Sequence, residues 1–251
     1  MTTASAPALE VSDLQRRFGG IRAVDGVTFA VAPGERRAVI GPNGAGKTTL
    51  FNMLTGELRP SAGAVRLHGR DVTAMRTWQL ARRGLARMYQ RNELFASLPA
   101  RENVALALAA AKGPYRATPA GSRAERAEAG ELLARVGLGG RETALARSLS
   151  HGERRQLELA VTLAQRPTVL LLDEPTAGMS PGETAAISRL IGELDRSLTI
   201  VIVEHDMDVV FRLADRITVL HEGKVIADGR PDQVRGDRLV NEVYLGRRLE
   251  A

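Results

Sequence analysis

The stretch RRAVIGPNGAGKTTLFNMLTG, Arg36 to Gly56, decides the fold. RRAVI reads as a buried strand running straight into a glycine-rich loop, and TTLFNML has the spacing of a helix closed by Gly56. Between them, Gly41 to Thr48 match G-x-x-x-x-G-K-[ST], in the strand-then-helix setting that this pattern requires. Glycines let the backbone wrap closely around a phosphate and turn its N–H groups inward. Gly41, Pro42, Asn43, Gly44, Ala45, Gly46, Lys47, Thr48 and Thr49 are therefore read as a nucleotide-phosphate cradle. Lys47 places a compact ammonium between the β- and γ-phosphates. A planar guanidinium is too broad for that nest, which matters here because Lys47, Lys112 and Lys224 are the only lysines among 35 basic residues. The Thr48 hydroxyl is a ligand for Mg²⁺, which otherwise takes phosphate oxygens and water.

A second strand, TVLLLDEP from Thr168 to Pro175, is too apolar to be anything but central, and it ends in two carboxylates. In open α/β sheets, ligands sit beyond the carboxyl ends of the strands, where the glycine-rich loop also lies. Successive strand residues face opposite ways, so the two acids should have different tasks. Asp173 is expected to hold Mg²⁺ through water, and Glu174 to orient and deprotonate an attacking water. LTIVIVEHD, Leu198 to Asp206, repeats the arrangement and brings His205 to a neighbouring strand end, within reach of a γ-phosphate or that water.

The rest of the chain fills in around these strands. Alternation in ALEVSDLQRRF and AVDGVTFAVAPGE predicts N-terminal antiparallel strands, with a turn at Pro33-Gly34, a second turn over Pro60 to Gly63 and another strand in AVRLHGRDV. From Trp78 to about Gln165 the pattern reads as helical, interrupted by the loop-like KGPYRATPAGS, and suggests a separate lobe. ETAAISRLIGELDR and DVVFRLADR read as helices, RITVLHEGKVIADG as a hairpin around Glu222-Gly223, and the tail as a short amphipathic helix. Strands alternating with helices predict a mainly parallel sheet covered on both faces, with an added β layer.

LSHGERRQLELA, Leu149 to Ala160, reads as a second loop opening into a helix. Free amides at such a start attract anions, yet the loop has neither a lysine nor a metal ligand and cannot form a whole nucleotide site. Ser150 is also a natural N-cap.

The chain of 251 residues carries a net charge of +6, but its basic residues are interleaved with acids and only 4% are aromatic, which argues against nucleic acid as a partner. No cysteine is present, so disulfides are excluded. The N-terminus lacks the basic start and apolar run of a secretion signal, and no apolar stretch is long enough to span a bilayer. A cytosolic protein is expected, one that docks on something embedded in a membrane.

With these residues in view, the chain resembles the ATPase subunits of ABC transporters along nearly its whole length. GPNGAGKTT and LLLDEP resemble the Walker A and B motifs, LSHGE the LSGGQ signature, Gln90 of ARMYQ the Q-loop glutamine, and His205 the switch histidine. The resemblance implies a P-loop NTPase (RecA-like) α/β core with a mixed, mainly parallel sheet, an N-terminal antiparallel β-subdomain and an inserted helical subdomain. The whole chain would be one domain: about 1–90 and 166–251 as β-subdomain and core, about 91–165 as the helical part. It implies ATP and Mg²⁺ as cofactors, Phe18 stacked on adenine, and Gln90 linking the metal to the helical lobe and taking part in catalysis with Glu174 and His205. Thr48, Gln90 and Asp173 would form the metal site. It also implies a head-to-tail pair of ATPase subunits, alike or different, in which Ser150, His151, Gly152 and Glu153 cover ATP held by the other subunit. Integral-membrane permease subunits, an external solute-binding protein and a place on the inner face of the cell membrane complete the implied assembly. LSHGE, AGMSPGET, VEHDMDVV and VYLG resemble the branched-chain amino acid and related amide or urea importers. His151 and Glu153 depart from LSGGQ, and Ser180 stands where the D-loop usually has an acid. A soluble ABC ATPase acting on ribosomes or DNA would carry two cassettes or long coiled-coil insertions, and a GTPase switch would carry N-K-x-D. Neither feature is present.

Overall fold

The computed structural model describes residues 6–89, 94–112 and 122–245. In chain order its elements are β1 (Leu9–Phe18), β2 (Ile21–Val31), β3 (Arg36–Ile40), α1 (Lys47–Leu54), β4 (Ala62–Leu67), β5 (Arg70–Asp71), α2 (Thr77–Ala81), β6 (Leu85–Met88), α3 (Ala100–Ala111), α4 (Arg123–Arg135), α5 (His151–Leu163), β7 (Val169–Asp173), α6 (Pro181–Glu193), β8 (Thr199–Val203), α7 (Met207–Leu213), β9 (Arg216–His221), β10 (Lys224–Gly229), α8 (Pro231–Gly236) and α9 (Arg238–Val240). They fall into two compact units, one of residues 1–85, 168–174 and 195–251, the other of residues 86–167 and 175–194.

The first unit contains both sheets that the alternating patterns call for. β2, β1, β4 and β5 form an antiparallel sheet in that order, with Leu9 opposite Val31 on one side and Leu67 on the other. β10, β9, β3, β8 and β7 follow one another in the second sheet, where β3 runs parallel to both β8 and β9 and β10 closes the edge antiparallel to β9. Every residue of β3, β7 and β8 is buried. Alternate side chains explain why: Val39 joins the core that contains Leu50, Phe51 and Leu171, whereas Ala38 and Ile40 join a second one with Val210 and Ile217. A strand apolar on both faces is wrapped on both faces.

The second unit is built on α3, α4, α5 and α6. Val104 and Leu108 of α3, Leu133 of α4 and Leu157 and Ala160 of α5 are all buried. Three of its helices start alike. Ser122, Ser150 and Ser180 each accept a hydrogen bond from the amide three residues on, and Glu125, Glu153 and Glu183 reach back to the cap amide, forming capping boxes.

Some expectations need correction. The run after Trp78 is not continuously helical, because LARM forms β6. Four residues are too few for periodicity to separate strand from helix, and the short helix TWQLA just upstream masks the change. Gly63 lies within β4 rather than in the turn before it. The tail is several short helical pieces, of which α8 and α9 span six and three residues. Much of KGPYRATPAGS lies outside the described residues.

Candidate active site

β3 ends at Ile40 and the chain passes through the glycine-rich loop into α1. Gly46, the N-cap of α1, sits at φ 102° and offers no side chain to the first turn, which also lacks an acid. Unlike α4, α5 and α6, α1 thus begins with its N–H groups uncapped by any side chain, and the helix dipole adds to their pull on an anion.

The loop is held from behind by backbone. The Gly223 amide at the β9–β10 turn donates to the Ala45 carbonyl at 3.0 Å, and the Asp25 amide donates to the Gly223 carbonyl at 2.8 Å. A Cβ at Gly46 would lie 2.4 Å from the Ala23 carbonyl oxygen, so the loop has no room for a side chain there.

Lys47 is buried, and its Nζ donates to the carbonyls of Gly41 at 2.6 Å and Pro42 at 3.0 Å. Burial pushes this ammonium below its ordinary value, while the Glu174 and Asp173 carboxylates act in the opposite direction. Thr48 and the loop tip at Asn43 and Gly44 are exposed.

Asp173 ends β7 and is buried. Glu174 follows with φ 47°, a left-handed backbone that costs a non-glycine residue roughly 1–2 kcal/mol. Its amide still donates to the Val203 carbonyl of β8 at 2.9 Å. The strand ends at Asp173 and the backbone turns over at Glu174, so the ordinary alternation of a strand does not relate the two acids. His205, two residues beyond β8, brings its Nε2 to 2.6 Å from Oε1 of Glu174. With the carboxylate ionised, that nitrogen is the donor. The sequence reading placed His205 toward phosphate or water; here its partner is Glu174. Lys47, Thr48, Asp173, Glu174 and His205 thus all stand at the carboxyl ends of β3, β7 and β8, within one unit.

The remaining candidates are placed as follows. Phe18 is 47% exposed at the tip of the antiparallel sheet, with the Arg16 guanidinium 4.7 Å from its ring centre. Gln90 lies outside the described residues. Ser150, His151, Gly152 and Glu153 open α5 in the second unit. The idea that this helix starts with free amides is not upheld for two of them. The Glu153 amide donates to Ser150 Oγ at 3.2 Å, and Gly152 is buried against the Glu183 carboxylate. His151 is exposed, with Nε2 3.3 Å from the Ala177 carbonyl oxygen. Ser180, at the D-loop position, caps α6.

Two residues were not singled out in the sequence. Arg155 is buried, donating to the carbonyls of Pro175 at 3.2 Å and Tyr89 at 2.8 Å and to the Glu158 carboxylate at 2.7 Å. It joins α5 to the segment just after Glu174, and an arginine three residues before a glutamate is its only local signal in the sequence. Glu183 had a clearer one, its place in a Ser-x-x-Glu box.

Comparison with known proteins places the chain in a family. Residues 24–177 match the family model described as ABC transporter. The chain is 40% identical over 256 residues to the high-affinity branched-chain amino acid transport ATP-binding protein BraF of Pseudomonas aeruginosa, covering 96% of this chain and 99% of that protein. It is 38% identical over 253 residues to the corresponding protein LivG of Escherichia coli, with the same coverage. Among solved structures, the ADP conformation of an ATP-binding cassette of an ABC transporter superposes with a TM-score of 0.86 at 29% identity, covering 96% of this chain and 99% of that one. With a glycine-rich loop between strand and helix, an acidic strand end and these relatives, the chain belongs to the ABC transporter family as one of its ATP-binding subunits.

Proposed function

We propose that the chain is the ATP-hydrolysing motor of an importer for branched-chain amino acids or related small polar solutes. The observation that carries the chemistry is the 2.6 Å pair between Glu174 and His205 beside the uncapped start of α1. Phosphates settle on the loop amides and Lys47, which exchanges its two carbonyl partners for phosphate oxygens. Glu174 accepts the proton of a water that attacks the γ-phosphorus, and the bond to the β–γ bridging oxygen breaks to leave ADP and inorganic phosphate. His205 orients the Glu174 carboxylate. The exposed Thr48 hydroxyl and the Asp173 carboxylate are a hard oxygen pair that suits Mg²⁺ arriving with the nucleotide. When bound, that ion neutralises charge developing on the phosphates.

The site of one chain is half a site. Ser150 to Glu153 open a helix and resemble the LSGGQ signature but have no lysine of their own, which supports a head-to-tail pair in which each signature segment covers the other subunit's ATP. The pair closes when ATP bridges both subunits and reopens when hydrolysis removes the γ-phosphate, and that cycle drives a permease at the inner face of the cell membrane. Among the described residues no helix is long and apolar enough to cross a membrane, so a separate permease supplies the path. Deleting the gene and measuring uptake of radiolabelled leucine tests the transport role. Uptake should fall and return with the wild-type chain but not with Lys47→Ala. Unchanged uptake of leucine, isoleucine and valine would remove the solute assignment.

A further inference from the structure

Gly152 is the residue whose amide should meet a γ-phosphate from the other subunit, yet it is already covered from within its own chain. A Cβ built on Gly152 would lie 2.8 Å from Oε1 of Glu183, and Gly152 is buried. The other carboxylate oxygen, Oε2, accepts from the Ser180 amide at 3.0 Å and the Ser180 hydroxyl at 2.7 Å. Glu183 thus fastens the start of α6 with one oxygen and presents the other to the start of α5. Its carboxyl is held below the ordinary glutamate value, first by the Ser180 amide and hydroxyl and in smaller part by the Gly152 amide and the neighbouring His151.

An ionised carboxylate at a helix start uses the same chemistry as a phosphate oxygen there. We propose that Glu183 is a positioning residue that acts as an internal stand-in for the γ-phosphate, holding the signature helix until ATP on the other subunit displaces it. A cavity of about 170 Å³ beside Gly152, lined also by Gln156, Ala186 and Ile187, gives the displaced side chain room to retreat. Because α6 follows the loop that leaves Glu174, this exchange also reports on the signature segment to the chain just beyond the catalytic acid. The inference rests on the head-to-tail pairing proposed above and adds a competitor to it.

Glu183→Gln keeps the length and the capping box while removing the charge, and Glu183→Asp keeps the charge but withdraws it from Gly152. Glu125→Gln makes the same change in the box of α4 and is the control. Amide hydrogen exchange in the nucleotide-free chain should show Gly152 protected, with protection falling in both Glu183 variants and not in the control. ATP-driven pairing is then followed by sedimentation in the Glu174→Gln background. The ATP concentration at half-pairing should fall about threefold to tenfold in both Glu183 variants, the difference between a charged and a weakened competitor. An unprotected Gly152 amide, or a midpoint that is unchanged or raised, would overturn the inference. Absence of pairing in Glu174→Gln itself would instead strike the proposed function, and this inference with it.

Discussion

Replacing Glu174 by Gln isolates the chemical step from everything that supports it. The substitution keeps the side-chain length, and its amide oxygen can still accept from His205 Nε2, now 2.6 Å from the carboxylate. The left-handed backbone at φ 47° is unchanged in kind, so the existing strain is retained. The side chain is only partly buried and the substitution is nearly isosteric, so stability should move by no more than about 1 kcal/mol. Lys47 loses the carboxylate that most favours its charged form, which lowers its pKa further, but its two carbonyl partners and the loop remain. What disappears is the proton acceptor. Positioned general bases contribute roughly 10²–10⁴-fold, or about 2.7–5.4 kcal/mol of barrier. Phosphate release measured at saturating ATP should therefore fall by about two to four orders of magnitude, while the Kd for a fluorescent ATP analogue stays within about threefold. A variant that hydrolyses ATP within threefold of wild type would refute the assignment of the base.

Other substitutions probe the supports separately. His205→Ala should lower kcat by about tenfold or more with ATP affinity unchanged, because it removes one partner of the Glu174 carboxylate and leaves the carboxylate itself, and steady-state kinetics would show the split. Gly46→Ala places a Cβ 2.4 Å from the Ala23 carbonyl oxygen at φ 102°, and should cost roughly 1–3 kcal/mol in chemical unfolding together with the thermal shift on adding ATP. Leu171→Ala, in the fully buried β7, should cost about 2.7–5 kcal/mol in the same unfolding assay. Acid stability tests the α5 capping box. The Ser150 amide is the main group holding Glu153 below its ordinary value of 4.5, so its stabilisation is complete above that pH and lost as pH falls through the lower folded value. Wild type should therefore exceed Glu153→Gln in stability near neutrality, and the two curves should converge on the acid side.

Much of this was legible locally. AVI and VLLL are unbroken apolar runs leading into the loop and the acids, so they announce central strands without any knowledge of their neighbours, although the buried Arg36, Arg37 and Asp173 beside them do not. The glycine-rich loop could likewise be read because its function depends on spacing within nine residues. What failed depends on distance or on backbone detail. LARM is too short to show a period, and its strand character comes from its surroundings. Alternation places Asp173 and Glu174 on opposite faces of a strand, but the strand ends at Asp173 and Glu174 is a left-handed residue that no side-chain pattern encodes. Gly152 looks like a free anion site in LSHGE because its covering carboxylate comes from Glu183, 31 positions later. The brace of Gly223 on Ala45 is also invisible until the hairpin folds back onto the loop.

The claim on which the account depends is that ATP is hydrolysed by pairs, since one chain holds the phosphate-binding loop and the acid but must have its nucleotide covered by another. The most direct measurement is ATPase rate per chain across a dilution series, with sedimentation at each point to give the paired fraction. The rate per chain should follow that fraction and fall toward zero where only monomers remain. A rate per chain that stays constant into the monomeric range would contradict it.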